Sequence, residues 1–370
     1  MLLRSAVWIG LISAALVAAS TVAAPDDQTR KDEAFSRAAS AIVDRVERED
    51  GFSGVILVAR GDKVLLRKAA GFADRERQIR NTPETKFPLE SVTKQFTATA
   101  IMMVVDDGKI SLDDSILKYY PEGPTAWRDV KIRHLLTHSS GIEEQPGTFL
   151  PRGDFFRAVQ SDGLRFKPGG GFRYSNTGYA LLAEVVKRVS GTSYGDFLAK
   201  RIFGPLQMCN TGFGEIPNNI VKGYVRVDGE LRTGRVQRPD ILAAGAGGIY
   251  STVDDMLLWS LAQGGDRLLS SQSRAAMFTD YGFDYGFGVR FSPKFGRKLI
   301  WHTGNSPDGF ASIFDRFPDD ELTVVAMTNA ESPTHSKATL LIEGKVQTFP
   351  ANAMRKAVEQ VERLYFGREP

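Results

Sequence analysis

At 370 residues, 42% of them hydrophobic, the chain can bury a sizeable core in one large domain or two interleaved ones. Its 47 Lys and Arg against 44 Asp and Glu leave a net charge of +3, and no basic cluster is interleaved with aromatics, which argues against a nucleic-acid partner. The single cysteine, Cys209, cannot close an internal disulfide and lies far from any N-terminal lipid-attachment position.

The N-terminus reads as an address. Arg4 supplies a positive start, Val7 to Ala19 an apolar stretch, and Thr21-Val22-Ala23-Ala24 small residues suited to cleavage. Pro25 makes a cut directly after Ala24 awkward and leaves Ala23 as the other site. The competing reading is an uncleaved anchor, but Val7 to Ala24 is barely long enough to span a bilayer. The expectation is export to the periplasm or medium, with residues 1–24 as the signal segment and the only membrane contact.

A charged helix is predicted over Lys31 to Glu49, then two strands around the turn Gly61-Asp62. The run Phe96 to Val105 is apolar on nearly all sides, which places a helix in the interior, ending at Asp106-Asp107-Gly108. Helical segments follow at Val130 to Thr137, Gly178 to Val189, Tyr194 to Ile202 and Val253 to Leu261. From Tyr285 the texture returns to strands, in "YGFGVRF", "KLIWHTG", "ASIFDRF" and "ELTVVAMTN", before a last helix over Ala351 to Tyr365. Strands at both ends with helices between predict one α/β layer built from both termini, about 25–90 and 285–370. A mostly helical lobe, about 91–284, is inserted into it.

Three stretches carry candidate chemistry. In "FPLESVTKQF", Ser91 and Lys94 lie three apart, so on a helix the lysine can reach back to the hydroxyl. A lysine desolvated by apolar neighbours can serve as a base, with a pKa of roughly 7–8. The bland alternative is a helix cap beside a solvated charge, and Ser115 with Lys118 repeats the same spacing. In "PGGGFRYSNTGYALL", Tyr174 and Asn176 can point the same way from a constrained loop and offer a phenol and an amide, or simply flank a capped helix start. In "LIWHTGNSPDGF", His302, Thr303 and Gly304 end an apolar strand along which a substrate could lie, with the Asn305 N–H aimed at its carbonyl oxygen.

Together, in this order, these elements resemble the serine β-lactamase and penicillin-binding superfamily, and its class C-like branch in particular. "LLTHSSGI" (Leu135 to Ile142) and "GAGGIYSTVDDM" (Gly245 to Met256) also look like that branch. The resemblance implies a β-lactamase/transpeptidase-like α/β fold, a mainly antiparallel sheet flanked by helices plus the helical lobe. It implies an acyl-serine hydrolase with Ser91 as nucleophile and Lys94 and Tyr174 sharing the proton transfers. The N–H groups of Ser91 and Asn305 would hold the oxyanion, while Asn176, His302, Thr303 and Gly304 position a small ester, amide or D-amino-acid peptide. No metal or cofactor is implied.

His302 stands where many members of that branch carry lysine. An imidazole is mostly neutral near pH 7, which favours an esterase or peptidase over a β-lactamase or D-Ala-D-Ala carboxypeptidase. Three rivals remain to be weighed. "GTSYG", around Ser193, matches a hydrolase elbow but follows a helix instead of a strand. His134 and His138 have zinc-pair spacing without the glutamate of that motif, and read as structural histidines. A penicillin-binding sensor would need a route across the membrane that one marginal span does not offer.

Overall fold

The hairpin expected around Gly61-Asp62 forms. In the computed structural model, which describes residues 26–143, 163–217, 221–227, 230–234, 243–330, 340–342, 345–347 and 353–369, strands β1 (Gly54–Arg60) and β2 (Lys63–Ala70) meet at a turn where Gly61 has φ 55°. That left-handed value suits glycine because it has no Cβ to clash. Successive side chains of β1 go to opposite faces: Val55, Leu57 and Ala59 enter one hydrophobic cluster, Ile56 and Val58 another. A strand buried on both faces must lie between two layers.

Four C-terminal strands complete the sheet: β3 (Arg290–Lys294), β4 (Arg297–Asn305), β5 (Ala311–Phe317) and β6 (Leu322–Thr328). The order is β3-β4-β5-β6-β1-β2, with every neighbouring pair antiparallel. Helices α1 (Asp27–Asp50) and α5 (Ala353–Tyr365) cover one face, where Ala39, Val43, Ala357 and Val361 meet Ile56 and Val324. Asp50 pairs with Lys356 at 2.6 Å, and Gln360 accepts from Arg45 at 2.8 Å.

The other face carries the helical lobe, centred on α2 (Thr93–Asp106), α3 (Asn176–Ser190) and α4 (Val253–Gln263). Every residue of α2 from Thr93 to Val104 is buried, as its all-round apolar pattern predicts. Several of its buried polar groups find partners inside the protein, although Gln95 Nε2 has none among the described residues. Gln95 Oε1 accepts from Trp259 at 3.1 Å and from Gln263 at 2.7 Å, and Thr97 donates to the Gly245 carbonyl at 2.6 Å.

One predicted strand starts late. Residues 285–289 form a tight turn, not a strand, closed by the Gly286 N–H donating to the Val289 carbonyl at 2.9 Å. Gly288 has φ 72°, and an ideal Cβ there would lie 2.5 Å from the Lys94 carbonyl oxygen. The turn is pressed onto the start of α2, and Gly288 permits that approach. The expected signal segment, residues 1–24, lies outside the described residues. Among the described residues no helix is long and apolar enough to cross a membrane.

Phe96 ties the lobe together. It is fully buried and stacks on Trp259 of α4 with ring centroids 3.9 Å apart. Phe96→Ala should therefore lower unfolding stability by about 3–5 kcal/mol, read from the midpoint of a urea titration, because the rigid helices around it cannot collapse into the void. A loss below about 1 kcal/mol would show that this stack is peripheral to stability.

Candidate active site

Ser91 does not cap α2. It lies in the 3-10 turn Glu90–Val92, and Val92 holds the cap position without a side-chain hydrogen bond. Glu90 has φ 50°, a left-handed backbone that costs a non-glycine residue about 1–3 kcal/mol. Strand β4 braces this strained turn. An ideal Cβ at Gly304 would lie 2.2 Å from the Leu89 carbonyl oxygen and 2.7 Å from the Ser91 nitrogen, so only glycine lets the two backbones approach. Ser312 on β5 donates to the same Leu89 carbonyl at 2.6 Å. Asn305 follows Gly304 and ends β4.

One turn into α2, Lys94 is fully buried. Its Nζ lies 3.1 Å from Ser91 Oγ, 2.8 Å from Asn176 Oδ1 and 2.9 Å from the Ala246 carbonyl oxygen. It also sits 4.7 Å from the centroid of the Tyr174 ring. Ser175 caps α3 by accepting from the Gly178 N–H at 3.0 Å, and this cap sets Tyr174 and Asn176 on either side of it. The capped-helix and functional readings of that loop are therefore compatible.

His302 is 2% exposed and committed inside the protein. Its Nδ1 is 2.7 Å from the Thr303 carbonyl oxygen, and its Nε2 is 3.1 Å from the Tyr285 hydroxyl. Tyr285 in turn is 3.0 Å from His138 Nε2, whose Nδ1 accepts from the Ser175 N–H at 3.0 Å. Burial, then Lys94, His302 and Arg290, hold the His138 ring well below an ordinary histidine pKa, while burial pushes the Tyr285 phenol well above its own. Thr303, the next residue of β4, instead lines a cavity of about 240 Å³ on the α5 side with Trp301 and Lys294.

The competing motifs resolve geometrically. Ser115 accepts from the Leu117 N–H as a 3-10 cap, and Lys118 pairs with Asp114 at 2.9 Å. Ser193 caps a short helix by accepting from the Asp196 N–H at 3.1 Å, just after Gly191 ends α3 at φ 71°. His134 Nδ1 accepts from the Lys131 N–H at 3.1 Å, while His138 serves Ser175 and Tyr285, so the two rings face different partners.

The structure thus gathers Ser91, Lys94, Tyr174, Asn176 and His302 around one point, with Gly304 against the turn that carries Ser91. Sequence reasoning missed three participants. The Ala246 carbonyl lies in the "GAGGIY" stretch, but a backbone acceptor leaves no signature in residue type. Tyr285 looked like the start of a strand. Arg290 guanidinium stands 5.7 Å from the Tyr174 ring centroid, 5.3 Å from that of Tyr285 and 5.6 Å from that of Trp301. Nothing in its local sequence marks that placement.

Comparison with known proteins agrees with this geometry. The Beta-lactamase family model matches residues 38–345. Penicillin-binding protein 4* of Bacillus subtilis is 29% identical over 351 residues, covering 83% of this chain and 77% of that one. The D-aminopeptidase of Brucella canis is 28% identical over 332 residues, covering 82% of this chain and 61% of its own length, so the chain spans about three fifths of that relative. Among solved structures, the octameric penicillin-binding protein homologue from Pyrococcus abyssi superposes with a TM-score of 0.76 at 25% identity, over 90% of this chain and 78% of that one. The D-amino acid amidase of Ochrobactrum anthropi SV3 shares the fold, with a TM-score of 0.76 at 23% identity over 90% of this chain and 99% of the other. The chain belongs to the Beta-lactamase family and is a serine hydrolase of that fold.

Proposed function

We propose that the protein cleaves small esters or amides, in the manner of an esterase or D-peptidase, through an acyl intermediate on Ser91. The arrangement of hydrogen bonds at Lys94 Nζ carries this reading. Asn176 Oδ1 and the Ala246 carbonyl can only accept, so two N–H bonds of the amine are directed at them. In the neutral amine this aims the lone pair towards Ser91 Oγ at 3.1 Å, ready to take the hydroxyl proton as the oxygen attacks a carbonyl. The protonated amine keeps the same partners by donating to Ser91, so proton uptake and return need no rearrangement.

In the first half-reaction a bond forms from Ser91 Oγ to the carbonyl carbon, and the proton passes to Lys94. The oxyanion would be held by the N–H groups of Ser91 and Asn305. Protonation of the leaving group, with Tyr174 beside Lys94 as the shuttle, releases the alcohol or amine. Water then attacks the acyl carbon by the reverse route and frees the acid. The Brucella D-aminopeptidases and the D-amino acid amidase support the amide reading, and the fold shared with EstCE1, a hydrolase with promiscuous acyltransferase activity, is compatible with an ester.

A second reading, action on anionic substrates such as β-lactams or peptides ending in D-Ala-D-Ala, is favoured by Arg290. Among the described residues its guanidinium contacts aromatic rings without an ion pair, so positive charge stands beside Tyr174. Turnover of neutral phenyl esters, β-lactams and D-amino acid amides side by side decides between them.

A fluorophosphonate probe should add its mass to the peptide containing Ser91; label on Ser115 or Ser193 with Ser91 untouched would sink the mechanism. Lys94→Ala and Tyr174→Phe should each lower kcat by about 10² or more, with a combined loss below the product of the two. Near-normal turnover in either variant removes that residue from the proton transfers. We further propose export of the protein by residues 1–24. N-terminal sequencing of protein recovered from the periplasm or medium should begin just after Ala23 or Ala24, and an intact Met1 start there would refute it.

A further inference from the structure

We infer that His138, acting through Tyr285, is a positioning residue that keeps His302 uncharged, so that this β4 side chain, which faces the Tyr174 ring, presents no cation to a substrate. The inference builds on the Ser91 site proposed above. Its basis is a chain of four hydrogen bonds whose direction is fixed from both ends. The Ser175 N–H must donate, so His138 Nδ1 is its acceptor at 3.0 Å and the His138 proton sits on Nε2. That N–H donates to the Tyr285 oxygen at 3.0 Å. At the other end, the Thr303 carbonyl can only accept, so His302 carries its proton on Nδ1 at 2.7 Å and leaves Nε2 as an acceptor. The Tyr285 hydroxyl fills it at 3.1 Å.

With both rings neutral every bond from Ser175 to Thr303 has one donor and one acceptor. A second proton on His302 would sit on Nε2 and reverse its bond with Tyr285, whose oxygen would then have to accept from both rings. The Tyr285 hydrogen would then have to leave the relay, with the Tyr179 phenol as its neighbour. The charged surroundings are mixed, with the basic groups acting in the same sense. Groups facing this pair are Lys94 from α2, Tyr174 from the loop before α3, Arg290 from β3 and Glu90 from the nucleophile turn, while Phe314 stands opposite His302 on β5. Arg290, and Lys94 when it holds a proton, oppose a charge on His302, the Glu90 carboxyl acts in the opposite sense, and the cross-strand partner on β5 is a phenyl ring.

His138 also has φ 56°, a backbone that asparagine adopts more readily than most residues. His138→Asn is therefore a selective cut. An asparagine Oδ1 stands near the place of Nδ1 and still accepts from Ser175, but its side chain is too short to donate to Tyr285. Tyr285 oxygen is then open to a proton from His302, whose imidazolium becomes tolerable.

The experiment has two arms on the full protein. Long-range proton–nitrogen correlation spectra of the histidine rings, with His302→Gln as the assignment control, should show at about pH 7 a neutral His302 protonated on Nδ1 and a neutral His138 protonated on Nε2. Ester turnover is then compared between p-nitrophenyl acetate and a p-nitrophenyl ester bearing a sulfonate, whose ratio cancels titration of Lys94. From about pH 7.5 to about 5.5 the anionic-to-neutral ratio should stay flat in the wild type and rise about threefold to tenfold in His138→Asn as His302 gains charge. Adding Tyr285→Phe to His138→Asn removes the acceptor and should flatten the ratio again. A wild-type His302 protonated on Nε2, or a flat ratio with no His302 titration in His138→Asn, overturns the inference. Absence of any ester turnover would instead count against the hydrolase reading, and the spectra of the wild type would still decide the tautomers.

Discussion

The Lys94 nitrogen is the point on which the rest of the site depends. An amine inside a protein is costly to leave without partners, and removing one partner of a buried charged group typically costs about 3–5 kcal/mol. Here the partners come from three separate places: the turn before α2, the first residue of α3, and the carbonyl of Ala246 in the short helix Ala243–Gly247. Satisfying Lys94 thus holds those elements at fixed distances from one another. The same bonds that make the lysine tolerable in the core leave it aimed at a hydroxyl.

Backbone contacts hold the site from the sheet side. Glu90 and His138 both adopt left-handed φ values next to it, and Gly304 and Gly288 each bring a second backbone segment against the ends of the stretch from Leu89 to Lys94. Strain of that kind persists only where surrounding structure over-determines it. The sheet supplies the rigidity: β4 and β5 are paired in register through Asn305 and Ala311, and Ser312 reaches back to the Leu89 carbonyl. Ser91 is therefore clamped between a strand edge and a buried helix, and neither layer alone could hold it.

Much of this was legible in the residues. The apolar runs of β1, β5 and β6 and the all-round apolar α2 follow from period-two and helical patterning, because each is buried on both sides. Ser91, Lys94, Tyr174 and Asn176 were legible as motifs because their chemistry lies in side-chain type and spacing. What escaped was whatever depends on chain segments far apart in sequence. The turn at 285–289 copies the glycine and aromatic texture of a strand, and only its contact with the Lys94 carbonyl distinguishes it. The role of His302 was read from the lysine that other members carry, whereas its state is set by Tyr285 and His138, which no local pattern connects to it. Thr303 shows the limit of a tripeptide motif: strand alternation turns it to the face opposite its neighbour.

The strand order carries a consequence for synthesis. β6 lies at the centre of the sheet and pairs with β1, yet about 220 residues separate the N-terminal hairpin from the first of the C-terminal strands, roughly ten to forty seconds of translation at typical rates. Through that interval β1 has β2 on one side and an open edge on the other, with apolar side chains on both faces. Neither main hydrophobic cluster can close before Leu322 to Thr328 emerge, and α1 waits longer still for α5. A nascent chain of this topology stays uncommitted until nearly its last tenth, long enough to be threaded extended through a narrow channel or captured by a chaperone that recognises exposed strand edges.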